Sequence, residues 1–437
     1  MQSVMRTLLC AAAAITISLL TACGSGSGTT VPASIRVVNG TTSALNLDLN
    51  SAVTISNVAA STSSAYASVS PGTYTQSLST ANTTVPSSIG TIGLGTGQAY
   101  TTIAFLRNTD IEAQSYAENQ AVPSAGSASL NIANLSIDAG ALDVYLIAHG
   151  TSVPQSATPT FSSVQGLSTV ITIAATSASV AYDIVVTGFG NPGDVRLTLS
   201  NPTFASAQQY TLALTSTPGG GLVNALLIPQ GVAVSASSFL PNKQARVRVL
   251  CALPQASGQP VVVTVGSTAL LPDTAPNWTP YQAVAAGSTI TSLTVAGASY
   301  PVPTIPSGTF AAGGDYTVLV YGLATAPLSS VLVDTNQIKA NSASVRVINA
   351  AVSAGTVSLF VNGAAKVSNV PYGSDAGAPF VYAGVPPSSA PSLQVTGGLG
   401  TYNQTLSGTT AIPLVSGAVK TIFVYDATLP PFVIADR

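Results

Sequence analysis

Hydrophobic positions along the chain fall into two patterns. The first occurs once. Residues 8–20 are apolar apart from Thr16 and Ser18, and they follow a start whose one basic side chain is Arg6. The second pattern fills the rest. Short runs rich in Val, Ile, Thr and Tyr, such as "TVLVYGL" and "TIFVYDA", are set off by Gly, Pro, Asn and Ser. Runs of that kind read as strands, and no sustained helical period appears after the first run. The expected fold class is all-β.

The pattern repeats. Four segments align without a gap: "SIRVVNGTTSALNLDLN", "SLNIANLSIDAGALDVYL", "RVRVLCALPQASGQPVVV" and "SVRVINAAVSAGTVSLFV". One column holds Arg36, Asn131, Arg248 and Arg346; another holds Asn39, Asn134, Cys251 and Asn349; a third holds Asp48, Asp143, Pro260 and Ser358. Two strands joined by a small-residue turn give this arrangement. A later landmark recurs as Tyr100-Thr101, Tyr210-Thr211 and Tyr316-Thr317, with Lys420-Thr421 in the fourth copy. Short strands in a unit of about 100 residues predict a tandem array of immunoglobulin-like β-sandwich domains, although the Cys–Trp–Cys marks of antibody domains are absent. The repeats are placed at residues 34–127, 128–243, 244–342 and 343–437. The second is the longest, and its extra length is assigned to loops around "HGTSVPQSATPTF". Short polar junctions predict units strung like beads. At about 35 Å each, four would reach on the order of 140 Å.

The apolar run is too short to span a bilayer as a helix and fits the core of a secretory signal. It ends Leu20-Thr21-Ala22-Cys23, passing at once into Gly and Ser. That ending resembles the lipobox of bacterial lipoproteins. The resemblance implies a signal peptide at residues 1–22, fatty acylation (palmitate among the chains) of Cys23, and a flexible tether over residues 23–33. Gly24 in place of an Asp implies the outer membrane, with the face left open. Several acyl chains hold a protein durably where one does not. The alternative is an ordinary cleaved signal with an incidental cysteine. An outer-membrane barrel is the rival fold. The 6% aromatic content and an end at Ala435-Asp436-Arg437, without a terminal aromatic, argue against it.

Composition narrows the function classes. Charged residues make up 6% of the chain, against about 25% in ordinary soluble domains. The 14 Asp+Glu outnumber the 12 Lys+Arg, and no basic cluster is denser than Lys243, Arg246 and Arg248, so nucleic acid is not an expected partner. With Cys10 in the signal and Cys23 as lipid site, Cys251 has no disulfide partner.

Candidate chemistry is sparse. His149 is the single histidine, and a Ser-His-Asp triad would need it, but no G-x-S-x-G elbow occurs. One histidine and one free cysteine cannot supply a zinc site, and no calcium loop is present. No catalytic residue, metal or cofactor is assigned. His149 reads as a loop residue. Cys251 reads as a small residue closing a turn in the column where the other copies have Asn. Asp48 and Asp143 read as strand-end residues that bond backbone or meet an arginine such as Arg36 or Arg346. The repeated tyrosines read as sandwich corners. Residues 272–281, "PDTAPNWTPY", hold the only tryptophan; Trp278 and Tyr281 are the candidate ligand-binding residues, because such amphipathic rings stack on sugars and meet partners. The alternative is that the indole covers the end of its own sandwich.

The opening of the second copy, Asn134 to Asp143 and "VYL", and Arg346-Val-Ile-Asn349-Ala in the fourth, resemble a bacterial envelope repeat known as a domain of unknown function, number four-three-nine-seven. Its units open R-V-x-H/N-A-S-P-D-A and continue V-D-V-Y. The first and third copies here lack the Ser-Pro-Asp-Ala turn, and the third has Pro260-Val261-Val262 in place of Asp-Val-Tyr. The resemblance implies an exported β-sandwich array and brings no catalytic residues. The expected function is a non-enzymatic outer-membrane lipoprotein, bound to the membrane through its lipid, with a structural, adhesive or scaffolding role. The alternative is an envelope protein that binds carbohydrate or peptide through loops such as residues 272–281. Self-association through charge-poor sheet edges is a further expectation.

Overall fold

The computed structural model describes residues 30–436 apart from 81–86, 108–109, 119–120, 178, 232–236, 254–259, 272–275, 339–340, 374–382, 386, 389–390, 399–401, 407–411 and 427. Cys23 and the signal lie outside the described residues.

The fold is all-β and built as tandem sandwiches. In repeat 1 the opening strand Ala33–Gly40 lies between a broken edge strand (Thr62–Ser63 and Ala67–Val69) and Ala99–Arg107, which pairs in turn with Asp110–Ala117. The second sheet runs Ala52–Val58, Leu45–Leu49, Gly72–Thr80, Ser87–Leu94. The same plan recurs in each repeat. Its mark is a parallel pairing of the opening strand with the penultimate one, in constant register: Arg36 opposite Thr101, Asn131 opposite Thr211, Arg248 opposite Thr317, Arg346 opposite Thr421.

The opening strand is buried on both faces, as parallel strands usually are. In repeat 1, Ala33, Ile35 and Val37 enter the sandwich core with Leu45, Leu47 and Leu78. The intervening Val38 joins Ile103 on the outer face, where both pack on Ala133, Ala213, Leu226 and Ile228 of repeat 2. Repeats 3 and 4 meet in the same way: Leu250, Leu319 and Leu332 pack on Ile348, Phe423 and Ile434. Each fully buried Leu or Ile contributes about 1.5–3 kcal/mol, so these outer faces are strong reasons for the repeats to pair.

Topology directs the pairing. The closing strand runs antiparallel to the penultimate one, with Tyr100 opposite Ala117 and Lys420 opposite Ala435. The chain therefore enters and leaves a sandwich at one end, its root. Repeat 2 is the exception. An additional strand, Ser238–Leu240, runs back along Val223–Pro229 and carries the chain to the far end, where repeat 3 begins. There the hairpin at Gly219 to Gly221 presses on Asp315, Asn336 and Arg246. Arg107, at the far end of repeat 1, bonds Asp138 of repeat 2 and the carbonyl of Ile338 between repeats 3 and 4.

The repeats thus form two side-by-side pairs stacked end to end. The bead-string expectation is corrected: hydrophobic outer faces and shared roots fold the array into a block. The extra length of repeat 2 is likewise only partly in the loop around His149, since among the described residues Ser238–Leu240 has no counterpart in the other repeats.

Candidate functional site

The roots hold buried arginine–carboxylate pairs. In repeat 3, Arg248 Nε donates to Thr317 Oγ1 at 2.9 Å, and Thr317 donates to Asp334 Oδ2 at 2.5 Å. Repeat 4 repeats the unit with Arg346 Nε to Thr421 at 2.7 Å and Thr421 to Asp436 at 2.7 Å. The two then exchange partners. Arg248 Nη1 meets Asp436 at 2.6 Å, and Arg346 Nη1 meets Asp334 at 2.5 Å. Arg346 and Asp334 side chains are 0% exposed. Burial alone would raise the Asp334 carboxyl, but Arg346 and Arg248 outweigh it and hold its pKa below the usual carboxylate range. Burial works against charge on Arg248, yet Asp436 and Asp334 keep its pKa above the ordinary value. Fully hydrogen-bonded ion pairs of this kind are costly to break by removing one partner.

Repeat 1 has the same unit, with Arg36 Nε on Thr101 at 2.8 Å, Arg36 Nη2 on Glu118 at 2.9 Å, and Thr101 bonded to Glu118. It reaches repeat 2 through Arg36 Nη2 to the Pro229 carbonyl at 2.6 Å and Gly231 N to Glu118 at 2.9 Å. Repeat 2 replaces the charges: Gln230 Nε2 donates to Thr211, and Thr211 to Asn131 Oδ1, at 2.6 and 2.7 Å.

A tyrosine completes the unit in repeats 1 and 3. Tyr66 donates to Glu118 at 2.6 Å, with the Arg36 guanidinium 4.8 Å from its ring centroid. Tyr281 donates to Asp334 at 2.5 Å, with Arg248 and Arg246 at 4.5 and 4.6 Å. Burial pushes the Tyr281 phenol well above its ordinary pKa. Two residues earlier, Ser64 and Thr279 each accept a backbone N–H of the opening strand, from Val37 and Val249 at 2.9 and 3.0 Å. A Ser/Thr-x-Tyr signal at 64–66 and 279–281 marks both sites in the sequence.

The other singled-out residues have local partners. Asn39, Asn134 and Asn349 donate to two carbonyls each around the turn after the opening strand. Cys251 is fully buried in the repeat 3 core, and burial pushes its thiol up to about 12. The repeated tyrosines accept the N–H five residues upstream, from Gly95, Ala205 and Ala311 at 2.8, 2.9 and 3.0 Å, which is a tyrosine-corner geometry. Asp143 accepts from Ser163 N and Gly190 N, and Asp48 from Ser79 Oγ at 3.4 Å, so neither meets an arginine. His149 Nδ1 lies 2.8 Å from Asp183 Oδ1; burial would raise that carboxyl, but the His149 bond and two backbone N–H groups hold it below its ordinary pKa. Cys251 and His149 lie in different repeats.

Trp278 forms an edge-strand pair with Leu250 and packs on Phe432 of repeat 4, ring centroids 5.0 Å apart. Its free side, with Tyr281, faces a cleft of about 990 Å³ where repeats 2, 3 and 4 meet. Arg196, Asp194 and Asn191 supply the repeat 2 wall, and Gln244, Arg246 and Gln282 that of repeat 3. Arg196 bonds Asp194 and the Gly221 carbonyl, and Arg246 bonds Asp315 through two nitrogens at 2.8 and 2.6 Å.

Fold and site together define a tandem β-sandwich protein whose repeats are clamped at their roots by buried polar units. The chain belongs to the family described as Domain of unknown function (DUF4397), which matches residues 33–145 and 245–360. Each match runs from the opening strand of one sandwich into the next, across a root junction. No curated protein matches the chain. A solved structure of a candidate cell adhesion protein from Bacteroides uniformis ATCC 8492 is similar at 12% identity, over 50% of this chain and 100% of that one, with a TM-score of 0.24.

Proposed function

We propose that this chain is a non-enzymatic cell-envelope lipoprotein, a rigid β-sandwich scaffold with a structural or adhesive role, held at the bacterial outer membrane by acyl chains on Cys23. One observation carries the reading. Every arginine among the described residues is paired with a carboxylate, and most of these pairs lie at roots or between repeats. On this reading the scarce charge serves to fix the block. No helix among the described residues is long and apolar enough to cross a membrane, so on this reading the lipid is the anchor. The test is mass spectrometry of the N-terminus with envelope fractionation, for wild type and Cys23→Ser. An acylated Cys23 in the outer-membrane fraction, with a soluble variant, supports the reading. An unmodified cysteine in a soluble wild type overturns the anchor.

A second reading, an envelope protein that binds carbohydrate or peptide, is favoured by a separate observation: Trp278 and Tyr281 both line the cleft between repeats. Open sheet edges leave self-association as a third property to test by sedimentation.

A further inference from the structure

We propose that the cleft between repeats 2, 3 and 4 is a glycan site that takes a neutral, polyhydroxylated saccharide; this rests on the second reading above. Two buried polar atoms in its walls have no hydrogen-bond partner: the donor Arg196 Nε and the acceptor Gln244 Oε1. Buried polar atoms left unpaired cost free energy, so a ligand that draws these side chains toward the cleft and pairs them gains it back. One atom needs an acceptor and the other a donor. A sugar hydroxyl is both, and adjacent hydroxyls on one ring serve both senses at short spacing.

The charges exclude other ligand classes. Arg196 is paired with Asp194, Arg246 with Asp315, and Asp436 with Arg248. The walls therefore offer no free charge to attract an anion or a cation. What remains is planar and polar, Asn191 and Gln282, beside the half-buried face of Trp278. An indole takes the C–H face of a pyranose while amides bond its hydroxyls.

A peptide added as a strand is the competing ligand, since Asn191–Ser200 is a sheet edge along the cleft. That edge is blunted. It carries Pro192, its pairing is broken by bulges at Thr187 and Gly188, and the Arg196 carbonyl already accepts from Asn242 at 2.7 Å. Proline and bulges are the features by which edges resist strand addition.

The chain has one tryptophan, so its emission reports on this cleft and on the Phe432 contact beside it. The processed full chain is titrated with cellohexaose, maltohexaose and chitohexaose, and with an unstructured decapeptide of Ser, Thr and Val as the rival probe. A saturable change with at least one hexasaccharide, weakened about 10-fold in Gln244→Ala or Asn191→Ala, is the expected result. Both variants alter side chains outside the sandwich cores, and circular dichroism checks that they fold. A wild-type titration curve in both folded variants overturns the site. If the decapeptide alone changes the emission, the glycan assignment falls and the ligand-binding reading stands. If no probe does, both fall.

Discussion

Repeats 3 and 4 meet over two arginines and two aspartates in reciprocal exchange, whereas repeats 1 and 2 meet over one arginine, one glutamate and a neutral Asn131–Thr211–Gln230 relay. Both junctions keep the threonine opposite the Arg/Asn column and both bury an apolar outer face. The shared parts are those that geometry demands: a short hydroxyl between two parallel strands, and packed aliphatic side chains around it. The charge is the variable part. Its neutral form leaves Asn131 Nδ2 and Gln230 Oε1 without partners, so repeat 2 is the less completely satisfied half of the comparison. We read the charged exchange as the stronger and more specific clamp.

The largest expected effect comes from Asp334→Ala. It removes the carboxylate that pairs with Arg346 and lies 3.9 Å from Arg248, both buried, and should cost about 3–5 kcal/mol in denaturant unfolding of the full chain. Glu118→Ala removes the carboxylate of one arginine, Arg36, which keeps Thr101 and the Pro229 carbonyl. If it costs as much as Asp334→Ala, the two junctions are equivalent and the comparison fails.

Next is Gly221→Ala. A Cβ there would lie 1.6 Å from Arg246 Nη2, and the neighbouring Gly220 has φ +84°, so the triple glycine is what lets repeat 2 press on the root of repeat 3. Overpacking of this kind costs about 1–3 kcal/mol. Limited proteolysis near residues 241–244 should accelerate, while the unfolding of repeats 1 and 2 changes little.

Acid provides a finer contrast. Because the folded pKa of Asp334 is depressed, its contribution is full above the unfolded carboxylate value of about 4 and is lost as pH falls through the folded value. Stability should drop below about pH 4, and Asp334→Asn should flatten that dependence at the expense of stability near neutrality. A pH profile unchanged by Asp334→Asn would remove this carboxylate from the account.

The smallest effect expected is from restoring charge to repeat 2. Asn131→Arg alone should destabilise, and Asn131→Arg with Gln230→Glu should recover most of the loss, with a coupling of about 0.5–3 kcal/mol. An additive double mutant would show that the two positions do not form a pair.

Much of this was legible in the chain before folding. The Arg column and the Tyr-Thr landmark lie opposite each other on parallel strands, and the Asn column closes the turn, because all three sit at fixed spacing within short strands. The acidic partners were not legible. They follow their threonines by 17, 19, 17 and 15 residues and vary as Glu118, Gln230, Asp334 and Asp436, so no gapless column forms. The pairing of repeats was hidden too, since alternation along one strand tells which residues are buried but not against what. Val38 and Leu250 carry the clue: both lie out of phase with the inner-face positions of their strands and are nonetheless apolar and buried. Trp278 and Tyr281 were found for their ring chemistry. The structure gives Tyr281 a carboxylate and an arginine at a root, as it gives Tyr66, and gives Trp278 both an interface contact and a cleft wall.

The central claim is that buried roots fold four sandwiches into a two-by-two block. Small-angle X-ray scattering of the processed chain tests it most directly. Two stacked sandwiches of about 35 Å predict a maximum dimension of roughly 80 Å, tether excluded. A maximum dimension of about 140 Å would restore the bead string and contradict the clamp.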